Sequence, residues 1–137
     1  MENSIIGPGC VVRGRVENSI LSPGVCVGEQ ATVRNSVLMS KVSVAHRSIV
    51  DSCILDEAVN VGKLCYIGFG AGIVSGDWDI TVLGKGTTVP AGYRIGRNCK
   101  ILPHAGGNNF SANVVPSGAV VSPLTGSPAR GVLANER

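Results

Sequence analysis

An internal repeat constrains this chain more than any other feature. Three consecutive segments align at a step of 17 residues, starting at Val16, Val33 and Val50. Leu21, Leu38 and Leu55 fall in register. So do Val25, Val42 and Val59, and again Val27, Val44 and Val61. Asn18 aligns with Asn35, and Ser19 with Ser36. Inside each segment the unit is about six residues: an aliphatic residue, often followed by Gly, and a small residue four places on. Ile6 to Val11 is one such unit and Val27 to Thr32 another. Farther on, Leu83, Val89, Ile95 and Ile101 follow the same spacing. Their small partners are Thr87, Tyr93 (the exception in size), Cys99 and Ala105, and Val115 with Ala119 adds a last unit.

A six-residue step requires a short strand and a turn in every unit. Three units close a triangular coil, and equivalent residues then stack at the ~4.7–4.9 Å spacing of paired strands. The aliphatic and small residues point inward, while Gly, Asn, Asp and Ser take corners where positive φ is needed. The predicted fold is therefore all-β: a parallel β-helix, a solenoid of about six to seven coils. Composition agrees. The chain is 44% hydrophobic but only 4% aromatic, and it holds 19 Gly. An ordinary globular core uses more large aromatics, and a helix bundle more Glu, Lys and Leu. The predicted β-helix domain covers residues 1–121. The hexad phase breaks at 72–82 and 106–113, which read as loops, and residues 122–137 read as an irregular C-terminal tail.

Several classes are excluded. The apolar content is too high and the charge too low for a disordered chain. No apolar run approaches the roughly 20 residues that span a bilayer. The N-terminus carries no secretory signal pattern. The net charge of +3 comes from scattered Lys and Arg, so neither a nucleic-acid partner nor a membrane partner is expected. Five Cys, at 10, 26, 53, 65 and 99, form no CxxC pair. Reduced thiols in the cytoplasm fit that pattern better than zinc or a disulfide framework.

Some units are more specific than a bare hexad. Asn18-Ser19-Ile20-Leu21-Ser22-Pro23-Gly24-Val25, Asn35-Ser36-Val37-Leu38-Met39 and Ile54 to Gly62 resemble the C-terminal domain of bacterial glucose-1-phosphate adenylyltransferases (ADP-glucose pyrophosphorylases). Ile80 to Gly92 resembles that family's closing coils, and the likeness covers about residues 3 to 102. Related sugar-phosphate nucleotidyltransferases share these features. The resemblance implies a left-handed winding, the exception that hexapeptide coils make to the right-handed rule. It implies a parent enzyme that makes ADP-glucose and pyrophosphate from ATP and glucose 1-phosphate, with magnesium, for glycogen synthesis. The family's Gly-rich nucleotide loop ending in Thr-Arg-Leu is not matched. The chain begins inside its first recognisable coil, so it is expected to be an isolated C-terminal domain. No catalytic residue carries over, and no cofactor is expected in this chain. The expected partner is the parent's N-terminal nucleotidyltransferase domain, and the expected role is structural, regulatory and oligomerising. Open solenoid ends and flat aliphatic faces also predict a homo-oligomer, a dimer or trimer.

The candidate chemistry is sparse. His46 and His104 fall at corners. A free-standing hexapeptide acyltransferase, the alternative reading, would use one His as general base and bind acyl-CoA. A zinc site needing three His cannot be built from two, and no metal is expected. Cys10, Cys65 and Cys99 occupy the inward phase as small hydrophobes, whereas Cys26 and Cys53 fall out of phase and are expected to be exposed. Lys85, Arg94, Arg97 and Lys100 are candidates for one arm of a phosphate-binding effector site, since Arg suits bidentate phosphate contact. Otherwise they are solvated surface. Trp78, flanked by Asp77 and Asp79, is a candidate domain or subunit contact if it does not fold back over a coil. The two Asp lack the further ligands of a calcium loop.

Overall fold

The computed structural model describes residues 3–69, 80–110 and 112–123. Trp78, Asp77, Asp79, most of the predicted 72–82 loop and most of the tail lie outside the described residues. Within them are eighteen short strands and a single 3-10 turn at Gly107–Asn109. The strands form three parallel sheets. The first sheet stacks β1 (Ile5–Ile6), β4 (Ile20–Leu21), β7 (Val37–Leu38), β10 (Cys53–Leu55), β13 (Thr81–Leu83), β16 (Lys100–Ile101) and β18 (Val120–Val121). The second stacks β2 (Val11–Val12), β5 (Cys26–Val27), β8 (Ser43–Val44), β11 (Asn60–Val61) and β14 (Thr88–Val89). The third stacks β3 (Arg15–Glu17), β6 (Thr32–Arg34), β9 (Ile49–Asp51), β12 (Tyr66–Ile67), β15 (Arg94–Ile95) and β17 (Val114–Val115). The chain visits the sheets in rotation, so each circuit is one coil. This is the parallel β-helix that the repeat predicts, with about six turns, and it is consistent with left-handed winding.

Each strand contributes one aliphatic side chain to the interior. Leu21, Leu38, Leu55, Leu83 and Ile101 line the first sheet, and Val27, Val44, Val61 and Val89 the second. Val16, Val33, Val50, Ile67, Ile95 and Val115 line the third. All are buried. Rings are too wide for this narrow prism, which explains the aliphatic composition. Tyr93 and Phe110 stand where the prism changes: among the described residues no strand of the second sheet follows β14, and residues 106–110 lie where it would be. Phe110 is buried there, edge-on to Tyr93 at 5.3 Å between ring centres.

The step departs from 17 where a corner changes length. Ile5 pairs with Ile20, because the first coil turns between β2 and β3 with only Arg13 and Gly14. A side chain at Gly14 would overlap the Ala31 carbonyl, so the short corner needs Gly. Ile54 pairs with Val82 across the long insertion. Strand β13 takes in Thr81 and Val82, which the loop boundary at 82 left outside the fold. The hexad resumes there because Thr81 is already in its inward place, fully buried.

Inside the edge between the third and first sheets, polar side chains form a ladder. The Ser4 hydroxyl accepts the Ser19 N–H, Ser19 accepts that of Ser36, and Ser36 that of Cys53, each at 3.1 Å. The Ser19 and Ser36 hydroxyls donate to the carbonyls of Glu17 and Arg34. Every buried hydroxyl in this run is thus both donor and acceptor, which removes the cost of burying it. Cys53 corrects the sequence reading. It is buried, not exposed, and its thiol donates to the Asp51 carbonyl at 3.1 Å. It continues the serine column at the 17-residue step and does not follow the hexad phase. Sulfur accepts weakly, and the next N–H, that of Thr81, bonds to the Ser52 carbonyl instead.

Candidate functional site

Charge gathers on the outside of this same edge. Glu17, Arg34 and Asp51 are in register at the ends of β3, β6 and β9. Parallel stacking places such residues about 4.8 Å apart along the axis. Arg34 Nε donates to Asp51 Oδ2 at 3.0 Å. Arg97, from a corner two coils farther on, donates to the same oxygen at 3.2 Å. Asp51 Oδ1 accepts from the Ser52 hydroxyl at 3.0 Å and the Asn35 amide at 3.4 Å. Arg97 reaches Asp51 past Gly68, which has φ +92° and whose Cβ, if it had one, would overlap the Asp51 carbonyl. The backbone at this position therefore requires Gly.

The cluster holds two guanidinium groups against one carboxylate. The Asp51 side chain is 8% exposed, Arg97 13% and Arg34 37%. The hydrogen bond to Asp51 raises the pKa of Arg34 above its ordinary value, and desolvation opposes it. Arg97 Nε has no hydrogen-bond partner among the described residues. Chemically the cluster is a fixed corner in which two guanidinium groups and the Ser52 hydroxyl all point at one carboxylate.

The four cations singled out in the sequence are not gathered at one point. Arg94 lies outward on β15, Arg97 at the corner and Lys100 outward on β16, so these three flank one edge from two different sheets. Lys85 lies on the edge between the first and second sheets, 3.7 Å from Glu57. Both partners of that pair are more than half exposed, and such pairs contribute little. Arg34 and Asp51 were not among the sequence candidates. Their signal was the 17-residue step itself, which puts Glu17, Arg34 and Asp51 in one column.

His46 and His104 are exposed corners on different edges. His46 borders a groove of about 580 Å³ with Arg13, Glu29, Gln30 and Arg47. Arg47 Nε donates to Gln30 Oε1 at 2.8 Å. No hydrogen bond orients the His46 imidazole among the described residues, so it lacks the second group that fixes a general base. No group of three His, Cys, Asp or Glu among the described residues could hold a metal ion.

The thiols are placed for packing. Cys65 and Cys99 are buried, Cys10 is half-buried and Cys26 is exposed. Burial pushes the Cys53 thiol well above its ordinary value of 9.0, opposed by its bond to the Asp51 backbone. Burial raises Cys65 as well. A thiol whose pKa is higher folded than unfolded favours the fold fully below about pH 9. Above it the unfolded chain loses a proton that the folded chain keeps, so stability falls as pH rises. For Cys53 the expected slope is about 1.4 kcal/mol per pH unit. Urea titrations between pH 8 and pH 10.5 should show that fall, and Cys53→Ser should flatten it by about one proton. An unchanged slope in the variant would show that Cys53 titrates freely.

Comparison with known proteins agrees with this geometry. A family model described as "GlmU-like, C-terminal hexapeptide" matches residues 1–73. The glucose-1-phosphate adenylyltransferase of Acetivibrio thermocellus is 35% identical over 128 residues, covering 88% of this chain and 30% of that protein. The enzyme of the same name from Thermomicrobium roseum is 40% identical over 99 residues, covering 66% and 23%. The chain thus spans under a third of the length of these relatives, in their C-terminal region. Among solved structures, the acetyltransferase domain of PglB from Neisseria gonorrhoeae, in complex with acetyl coenzyme A, shares the fold with a TM-score of 0.60. It is 21% identical, and the match covers 83% of this chain and 54% of that domain. With the repeat, the three stacked sheets and these matches in agreement, the chain belongs to the GlmU-like C-terminal hexapeptide family.

Proposed function

We propose that this chain is the structural and regulatory β-helix module of a cytoplasmic sugar-phosphate nucleotidyltransferase. The reaction proposed for the whole enzyme is formation of ADP-glucose and pyrophosphate from ATP and glucose 1-phosphate, feeding glycogen synthesis. One observation carries this reading: 35% identity to a glucose-1-phosphate adenylyltransferase across 88% of the chain. In this reading the module packs on an N-terminal nucleotidyltransferase domain and joins copies into a homo-oligomer. The magnesium of the reaction would be held in that nucleotidyltransferase domain. An anionic effector would meet the edge flanked by Arg94, Arg97 and Lys100, where Arg34 adds a third guanidinium. Lys85, paired on another edge, would contribute least.

The purified chain should form no ADP-glucose from ATP, glucose 1-phosphate and magnesium, because it has no phosphate-cradling loop of the nucleotidyltransferase kind. It should also give no saturable heat on titration with acetyl-CoA. Turnover above a heat-killed control would overturn the non-catalytic role. Stoichiometric acetyl-CoA binding, with acyl transfer to an acceptor lost in His46→Ala or His104→Ala, would favour a free-standing acyltransferase instead.

A further inference from the structure

We propose that Val132 and Leu133, in the C-terminal segment that lies outside the described residues, dock on the end of the stack and continue the third sheet as a strand beside β17. This goes beyond the reading of the whole enzyme and does not depend on it. The last described coil is incompletely covered. Its inward residues Val121 and Ala119 are half-buried, and Val115 is 5% exposed. Their partners one coil earlier, Ile101, Cys99 and Ile95, are 2%, 0% and 0% exposed. Beside them runs a groove of about 450 Å³, with Phe110, Val115, Pro116, Ala119 and Val121 in its walls and no charged side chain among them. The backbone is open on the same side. The Arg94 N–H donates to the Asn113 carbonyl and the Lys100 N–H to the Ala119 carbonyl. The equivalent donors of the last coil, Val114 and Val120, have no further coil to meet among the described residues.

Spacing and composition select the occupant. A coil of three full hexads is 18 residues long, the separation of Val82 from its partner Lys100. The same step from Val114 and Val115 leads to Val132 and Leu133. Val132 is the only β-branched aliphatic residue between 124 and 137. The pair repeats the order of β17, an outward residue followed by an inward one. In that register Leu133 stacks on Val115 beside Phe110, and the Gly131 carbonyl accepts the Val114 N–H. Thr125, Gly126, Ser127 and Gly131 supply turn residues on the way. Arg130, Glu136 and Arg137 lie to either side of the pair, so the apolar residues meet the uncharged groove and the charges stay at its rim. The extended chain from Val121 to Val132 spans up to roughly 36 Å, so reach is no obstacle. A tethered segment acts at an effective concentration on the order of millimolar, which a separate partner has to exceed. Covering the last coil also removes a sheet edge that would otherwise pair end to end with another molecule.

Amide hydrogen exchange on the full chain, read by NMR, tests this. The Val114 amide should exchange at least ~10-fold more slowly in the wild type than in Leu133→Asp, with the same β-sheet spectrum in both. The Val61 amide, in the middle of the stack, should change far less, which separates a local cover from a loss of overall stability. Leu124→Asp adds the same charge away from the pair and should keep the wild-type Val114 rate. If Leu133→Asp does not fold, Leu133→Ala should still speed Val114 exchange, by at least ~3-fold. Equal Val114 rates in the wild type and a folded Leu133 variant overturn the proposal, and so does an equal change at Val61 and Val114. Slow exchange that is lost on dilution from near-millimolar to micromolar protein overturns it as well, because a second molecule is then the cover.

Discussion

Val44→Asp is expected to cost more than about 4 kcal/mol and to leave the chain largely unfolded at room temperature. Val44 is 1% exposed and sits in the second of the three inner columns, between Val27 and Val61. A carboxylate there would have no partner and no route to water, because each coil is sealed above and below by its neighbours. The effect also spreads. A solenoid coil contacts only the coils on either side, so opening one coil separates the two halves of the stack. Asn60→Asp, one residue before Val61 but pointing outward, should change stability by no more than about 0.5 kcal/mol. Thermal melts followed by circular dichroism check both. A wild-type melting temperature in Val44→Asp would mean that the inward phase is misassigned.

The second large effect belongs to Asp51. Asp51→Ala leaves Arg97 largely enclosed and without its counter-charge, a situation that costs about 3–5 kcal/mol for fully buried pairs. Arg34 is over a third exposed and can turn to water, so its share is small. The expected loss is about 2–4 kcal/mol. Arg97→Ala should cost less, because Asp51 keeps Arg34, Ser52 and Asn35, and Arg34→Ala should cost least. Urea unfolding of the three variants gives the order directly. Equal losses in all three would show that the carboxylate is not the centre of the cluster.

Part of this was legible from the residues. The step of 17 placed Leu21, Leu38 and Leu55, and every inner valine of the early coils, because stacking requires equivalent positions to repeat. It did not reveal the left-handed backbone of Gln30, Lys41, Arg47, Ala58, Leu64 and His104, which all have φ near +60°. Nothing in those residue types asks for that conformation; the corner imposes it, because each coil must turn where its neighbour turns. Asn18, Asn35 and Asn98 do announce it, since asparagine tolerates positive φ. Cys53 was misread because the hexad phase was followed where the 17-residue alignment with Ser19 and Ser36 was the better guide. Arg97 stood out by its type, but its partner is 46 residues away across an insertion that breaks the count. Arg34, half of the charged corner, was hidden because a single charge per coil looks like solvated surface until the coils are stacked.

The most direct test of the functional account is a chimera. This chain replaces the corresponding stretch of the Acetivibrio thermocellus glucose-1-phosphate adenylyltransferase, and ADP-glucose formation from ATP and glucose 1-phosphate is measured on the purified product. The account predicts an active enzyme, with kcat within about tenfold of its parent, since a module of the same family supplies the same coils to the catalytic domain. A chimera that is soluble, shows the expected spectrum and unfolds cooperatively, yet forms no ADP-glucose while its parent does, would contradict it.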